Sequence, residues 1–138
     1  MKFELLKVKD IAKGEPIRSP RDVAKFIRDN MAEEAMADRE CFWILHLNAR
    51  NQVIEKEISA IGTVNSCLVR PADVMRKAII NGTVAIIAVH NHPSGNPEAS
   101  KEDLMLASRL KDSAELLGIQ LLDSVIIAAG GKVQSILR

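Results

Sequence analysis

His90 and His92 stand one residue apart, directly after the apolar run Thr83 to Val89 (TVAIIAV), and a Pro/Gly loop then leads to Ser100-Lys101-Glu102-Asp103. Side chains two apart on a strand share a face, so the two imidazoles project together from the strand's carboxyl end. That edge of an α/β sheet is where ligand sites form. Pro93 and Gly95 end the strand, and the chain can return as a helix whose first turn carries Asp103. Two imidazoles and a carboxylate are the three protein ligands of a catalytic zinc site, which keeps a fourth position for water and lowers its pKa. The plain alternative is structural. A Ser three residues before an Asp at a helix start is an ordinary capping pair, as at Ser19 and Asp22. A single histidine after an apolar strand is also commonly structural. With both histidines and the acid in one local unit, spacing alone leaves metal site and cap evenly matched.

The elements that must carry these residues can be read from periodicity. Phe3 to Val8 alternates weakly and could form an edge strand, broken by Gly14 to Ile17. Ser19 as N-cap, Pro20 at the first helical position and Asp22 open a helix reaching about Ala37, with Val23, Phe26, Ile27 and Met31 on one face. Cys41 to Leu47 (CFWILHL) suits a buried strand, Asn48 to Asn51 a turn, and Gln52 to Ile61 a second strand of a hairpin. Gly62 to Val69 reads as irregular. Pro71 opens a helix through Ile80 that stops at Asn81-Gly82. Thr83 to Val89 is a central strand buried on both faces. A helix from Lys101 to Leu117 turns Leu104, Ala107, Leu110, Ala114 and Leu117 to the core, with Gly118 capping its end. Ile119 to Ala128 and Lys132 to Leu137 complete the pattern around Gly130-Gly131. The order β-α-β-β-α-β-α-β-β reads as one α/β domain: a mixed β-sheet sandwiched by helices.

The bulk numbers agree with that class. The chain has 138 residues, 47% of them apolar, enough for a core of its own. A net charge of +1 with both signs interspersed gives no basic stripe of the kind nucleic acid attracts. Cys41 and Cys67 make no metal or redox spacing and read as buried thiols. The N-terminus lacks the apolar core of a signal peptide, and no apolar run approaches membrane-spanning length, so a cytoplasmic protein is expected. His46, within FWILHLN, has no second ligand near it in sequence. It reads as a strand histidine beside Asn48 or solvent, with no role.

The spacing His90-x-His92, seven residues, Ser100-x-x-Asp103 resembles the JAMM (MPN-plus) metalloprotease signature. The surrounding HNHPSG, LLGIQLLD, RECFWILHLN and GTVNSCLVRPADV are similar to the RadC branch of that fold, over nearly everything from Ser19 onward. The resemblance implies a JAMM/MPN, cytidine deaminase-like architecture over residues 19–138, behind an N-terminal strand or extension at 1–18. It implies zinc on His90, His92 and Asp103, with Ser100 near the metal steadying an oxyanion. It also implies a glutamate general base at the start of the strand after the first helix. Glu40 matches that position, with Glu55 and Glu57 in VIEKEIS as competitors. Asn96-Pro97-Glu98-Ala99 replaces the usual D-P-x-P and is expected to shape the loop without touching the ligands. Ser124 stands where a His is common.

The activity so implied is zinc-dependent cleavage of an amide, peptide or isopeptide bond in a protein or peptide. The rivals are a DNA-repair or mobile-element accessory acting by binding, a metal-dependent nuclease, and a metal-free interaction module. The letters H-N-H do not support an HNH nuclease, whose residues are dispersed over a ββ-helix element. The helix-hairpin-helix region at the front of full-length RadC proteins has no counterpart in residues 1–18, so direct duplex contact is not expected. The physiological substrate and the oligomeric state are not legible; an edge strand at Phe3 to Val8 could pair with a second copy.

Overall fold

A computed structural model describes residues 14–30, 39–62 and 69–137. Helix α1 (Pro20–Asp29) starts as the sequence dictates: Ser19 Oγ accepts from the Asp22 amide at 3.2 Å, with Pro20 in the first turn. It ends at Asp29, short of Ala37. Asn30 closes it by donating its side-chain amide to the Phe26 carbonyl, and residues 31–37 lie outside the described segments. The expected strand at Phe3 to Val8, most of the irregular stretch from Gly62, and Cys67 also lie outside them.

Strands β1 (Glu40–Leu47) and β2 (Val53–Gly62) form the hairpin, joined by a turn in which Asn48 Oδ1 accepts from the Arg50 and Gln52 amides. Helix α2 (Pro71–Asn81) stops at Gly82, whose φ of 65° lies in the left-handed region that glycine occupies without strain. Strand β3 (Ala85–His92), helix α3 (Lys101–Leu116) and strand β4 (Gln120–Ala128) make a parallel crossover, and β5 (Lys132–Ser135) returns antiparallel. The sheet order is β2-β1-β3-β4-β5, with only β3 and β4 parallel.

Alternation along the central strands sorts side chains between two apolar layers. Phe42, Ile44, Ile86 and Ala88 face Val74, Met75 and Ala78 of α2 and Leu106, Leu110 and Ala114 of α3. Cys41, Trp43, Leu45, Ile87 and Val89 face Val23 and Ile27 of α1. A mixed sheet sandwiched by helices is therefore the observed architecture. No helix of the described residues is long and apolar enough to cross a membrane.

Two details depart from the sequence reading. The central strand starts at Ala85, because the Thr83 amide closes the end of α2 on the Ala78 carbonyl, and it runs on through both histidines, paired to β4 as far as His92 and Ala128. On α3, Leu106, Ala107, Leu110 and Ala114 are buried, whereas Leu104 and Leu117 are about half exposed, at 50% and 49%. Asp103 shares the buried stripe with residues three, four, seven and eleven positions on. Facing that acid to the sheet turns Leu104 about 100° away.

Candidate metal centre

The site sits at the carboxyl end of β3, on the face covered by α3. At that end the β1–β3 ladder stops at Phe42 opposite His90. Glu40, two residues before Phe42, lies on the same face as His90 and His92 by the period of the strand. Asp103 reaches the group from the first turn of α3. Sequence spacing and the fold thus bring Glu40, His90, His92 and Asp103 to one place.

The contacts are short. His90 Nδ1 lies 3.1 Å from Asp103 Oδ1, and His92 Nε2 lies 3.2 Å from Asp103 Oδ2. Glu40 Oε2 is 3.6 Å from His90 Nε2. The two imidazoles meet edge to face at 4.9 Å between centroids, and the Phe42 ring lies 5.8 Å from that of His90. His90 is buried, His92 and Asp103 are partly so, and Glu40 is the most open, at 41%.

Asp103 is also half of a capping box. Ser100 Oγ accepts from the Asp103 amide at 3.1 Å, and Asp103 Oδ2 accepts from the Ser100 amide at 2.9 Å. Burial alone would raise the pKa of this carboxyl. Hydrogen bonds from His90 and from the Ser100 amide, with the field of His90, outweigh it and hold Asp103 well below the usual carboxylate range. Ser100 therefore has a structural duty at the helix start, and its exposed side chain stays beside the cluster.

The donor set suits a cation. His92 Nδ1 lies 2.8 Å from the Asn96 carbonyl, which can only accept, so Nδ1 carries the proton and Nε2 faces a carboxylate. At 3.2 Å from a carboxylate, Nε2 needs a proton or a metal ion between the two groups. His90 Nε2 is buried with no hydrogen-bond partner among the described residues, and it points towards Glu40. Nitrogen or oxygen ligand atoms of His90, His92 and Asp103 all lie within 4.8 Å of one another, the only such group among the described residues. Three protein ligands of this type leave one position open, as a catalytic site requires. The carbonyl that fixes His92 corrects one expectation: the Asn96 loop does touch a candidate ligand, through its main chain, the kind of partner that orients imidazoles in metal sites.

Glu55 and Glu57 are placed elsewhere. They pair across from His46 and Ile44, six and four residues from Glu40 along β1, or about 20 and 13 Å at ~3.3 Å per residue. Glu55 accepts from Lys77 at 2.7 Å and from Asn81 at 3.1 Å. Burial raises the Glu55 pKa, but these partners more than offset it, and the net shift is downward. Glu57 Oε1 lies 2.9 Å from Nε2 of His46, whose Nδ1 lies 3.1 Å from Thr83 Oγ1. His46 is thus fully buried between two polar partners, not beside Asn48 or solvent. Cys41 is buried, as the sequence suggested.

One residue that the sequence reading passed over is Asn91. Its side chain accepts from the Cys41 amide and donates to the Arg39 carbonyl at 2.9 Å. The period of two offered the signal, since it turns Asn91 away from the two histidines.

Residues 17–138 match the RadC-like JAB domain. Curated relatives carry the name UPF0758 protein. One from Methanosarcina mazei is 37% identical over 131 residues, covering 93% of this chain and 56% of the relative. One from Bacillus licheniformis is 43% identical over 111 residues, covering 80% of this chain and 48% of the relative. One from Moorella thermoacetica is 43% identical over 114 residues, covering 83% and 48%. The chain spans about half the length of these curated relatives.

Proposed function

The chain belongs to the RadC-like JAB domain family, and from that membership and the His90–His92–Asp103 cluster we propose that it is a zinc-dependent hydrolase. Its substrate is an amide, peptide or isopeptide bond of a protein or peptide, cut in the cytoplasm. The observation that carries this reading is the convergence of the three ligands with Glu40, 3.6 Å from His90.

His90, His92 and Asp103 would hold the ion, which would supply Lewis-acid polarisation of the scissile carbonyl and water activated near neutral pH. Glu40, the open carboxylate of the group, takes the proton of the attacking water and hands it to the leaving amine. Its exposure gives a substrate access from solvent. Ser100 keeps its oxygen lone pair on the Asp103 amide, which leaves the hydroxyl hydrogen to donate to the oxyanion. The Asn96 carbonyl holds His92 in the tautomer whose Nε2 can bind a cation.

Metal content by mass spectrometry, on protein purified without a histidine tag, tests the first half of the proposal. About one zinc per chain is expected, lost in His92→Ala and in Asp103→Ala. A peptide-library screen tests the second: Glu40→Gln should retain zinc and lose cleavage by about 100-fold or more. Wild-type protein that takes up no zinc when it is offered would remove the hydrolase reading.

A further inference from the structure

We propose that Asn91, the residue between the two histidines, is the positioning residue for Glu40. The inference rests on the reading of Glu40 as general base. Alternation along β3 sends His90 and His92 to the α3 face and Asn91 to the other, so the three residues need not compete for space. Past the last β1–β3 pair, Phe42 and His90, no residue pair continues the ladder between these two strands. The Asn91 side chain bridges the strands there instead. Its carbonyl oxygen accepts from Cys41 N–H, and its NH2 donates to Arg39 C=O.

Those two groups belong to the peptide units on either side of the Glu40 α-carbon. Fixing both restricts the rotation of Glu40 about φ and ψ, and so fixes the direction in which its side chain leaves the strand. Only a primary amide of this length can accept from one and donate to the other. Aspartate keeps the acceptor alone, and alanine keeps neither. Both prongs start from the strand that bears His90 and His92, so the same short segment carries two ligands and the anchor of the base.

The test uses the full chain, as wild type, Asn91→Ala and Asn91→Asp, with Glu40→Gln alongside. In Asn91→Ala, amide exchange at Cys41 should rise about tenfold while exchange at Leu45 stays unchanged. Zinc content should stay that of wild type. A cross-peak between the Glu40 Hγ protons and the His90 ring, expected in wild type, should disappear. Peptide cleavage should fall about tenfold or more in kcat with KM unchanged. Asn91→Asp should slow Cys41 exchange again and so keep the question decidable where the alanine variant folds poorly. Unchanged Cys41 exchange in both variants, or loss of zinc in both, would overturn the proposal. If Glu40→Gln cleaves like wild type, the base assignment fails and the proposal loses its object. The exchange and cross-peak data would still report the contact by themselves, so the two failures are distinguishable.

Discussion

Ser100→Ala and Asp103→Ala, taken together, separate two duties that meet in one carboxylate. Ser100→Ala removes the hydroxyl that accepts from the Asp103 amide at 3.1 Å, a loss of about 1 kcal/mol for an N-cap. It leaves Asp103 in contact with both imidazoles. Asp103→Ala removes the acceptor for the Ser100 amide at 2.9 Å and also the contacts at 3.1 and 3.2 Å to His90 and His92. With a chelator present, the cap and one buried hydrogen-bonded contact together cost about 2 to 3 kcal/mol. Zinc then distinguishes the variants. An ion that binds only the folded chain adds about 4 kcal/mol at a thousand times its Kd, a rise in Tm on the order of 15 °C for a domain of this size. Thermal unfolding followed by circular dichroism, in EDTA and in zinc-buffered solution, reads the difference. Wild type and Ser100→Ala should show the rise, and Asp103→Ala should show none. A zinc-dependent rise preserved in Asp103→Ala would reduce that residue to a helix cap. Its loss in Ser100→Ala would mean that the cap and the ligand cannot be parted as argued.

Three further outcomes are expected. Glu55 has a pKa below its ordinary 4.5, so it contributes stability above that pH that is lost as the pH falls through the lowered value; solvent at the half-exposed Lys77 limits it to about 0.5 kcal/mol. Urea titrations at pH 7 and pH 3 should show a drop in stability that is smaller by about 0.5 kcal/mol in Lys77→Met than in wild type. His46→Ala leaves Glu57 and Thr83 without their shared partner and opens a void in a fully buried place, so chemical denaturation should register a loss of about 3 kcal/mol with zinc content unchanged. Gly82→Ala places a β-carbon at φ 65°, and thermal unfolding should report a loss of about 1 kcal/mol; no loss would show that the end of α2 is not held there.

The layered sheet and the convergence of the candidate site residues were legible for definite reasons. A period of two put His90 and His92 on one face, and a Ser-x-x-Asp start put Asp103 in the first helical turn. What escaped depends on pairing across the chain. Hydropathy ends the central strand at Val89, but hydrogen bonding to β4 carries it to His92. The apolar positions of α3 allow more than one rotation, and the acid that must face the sheet selects the one that exposes Leu104 and Leu117. His46 finds Thr83 across 37 residues and Glu57 across eleven, which no local window reveals. The Asn96 carbonyl belongs to the main chain, so the substitution of its side chain relative to the usual loop gave no clue to its contact with His92.

The histidines and the anchor of Glu40 share one strand, while Asp103 is borne by a separate helix behind a loop. A bend of the sheet therefore carries the imidazoles and Glu40 along together, as common-mode displacement that leaves their spacing unaltered. A rocking of α3 is differential: it alters the distance from Asp103 to both rings, while Glu40 and His90 stay on the sheet. That differential coordinate runs through a single carboxylate whose helix start is also its own cap. Were an ion held there as proposed, closing or opening that distance would grip or free it while the Glu40–His90 spacing of 3.6 Å stayed as it is.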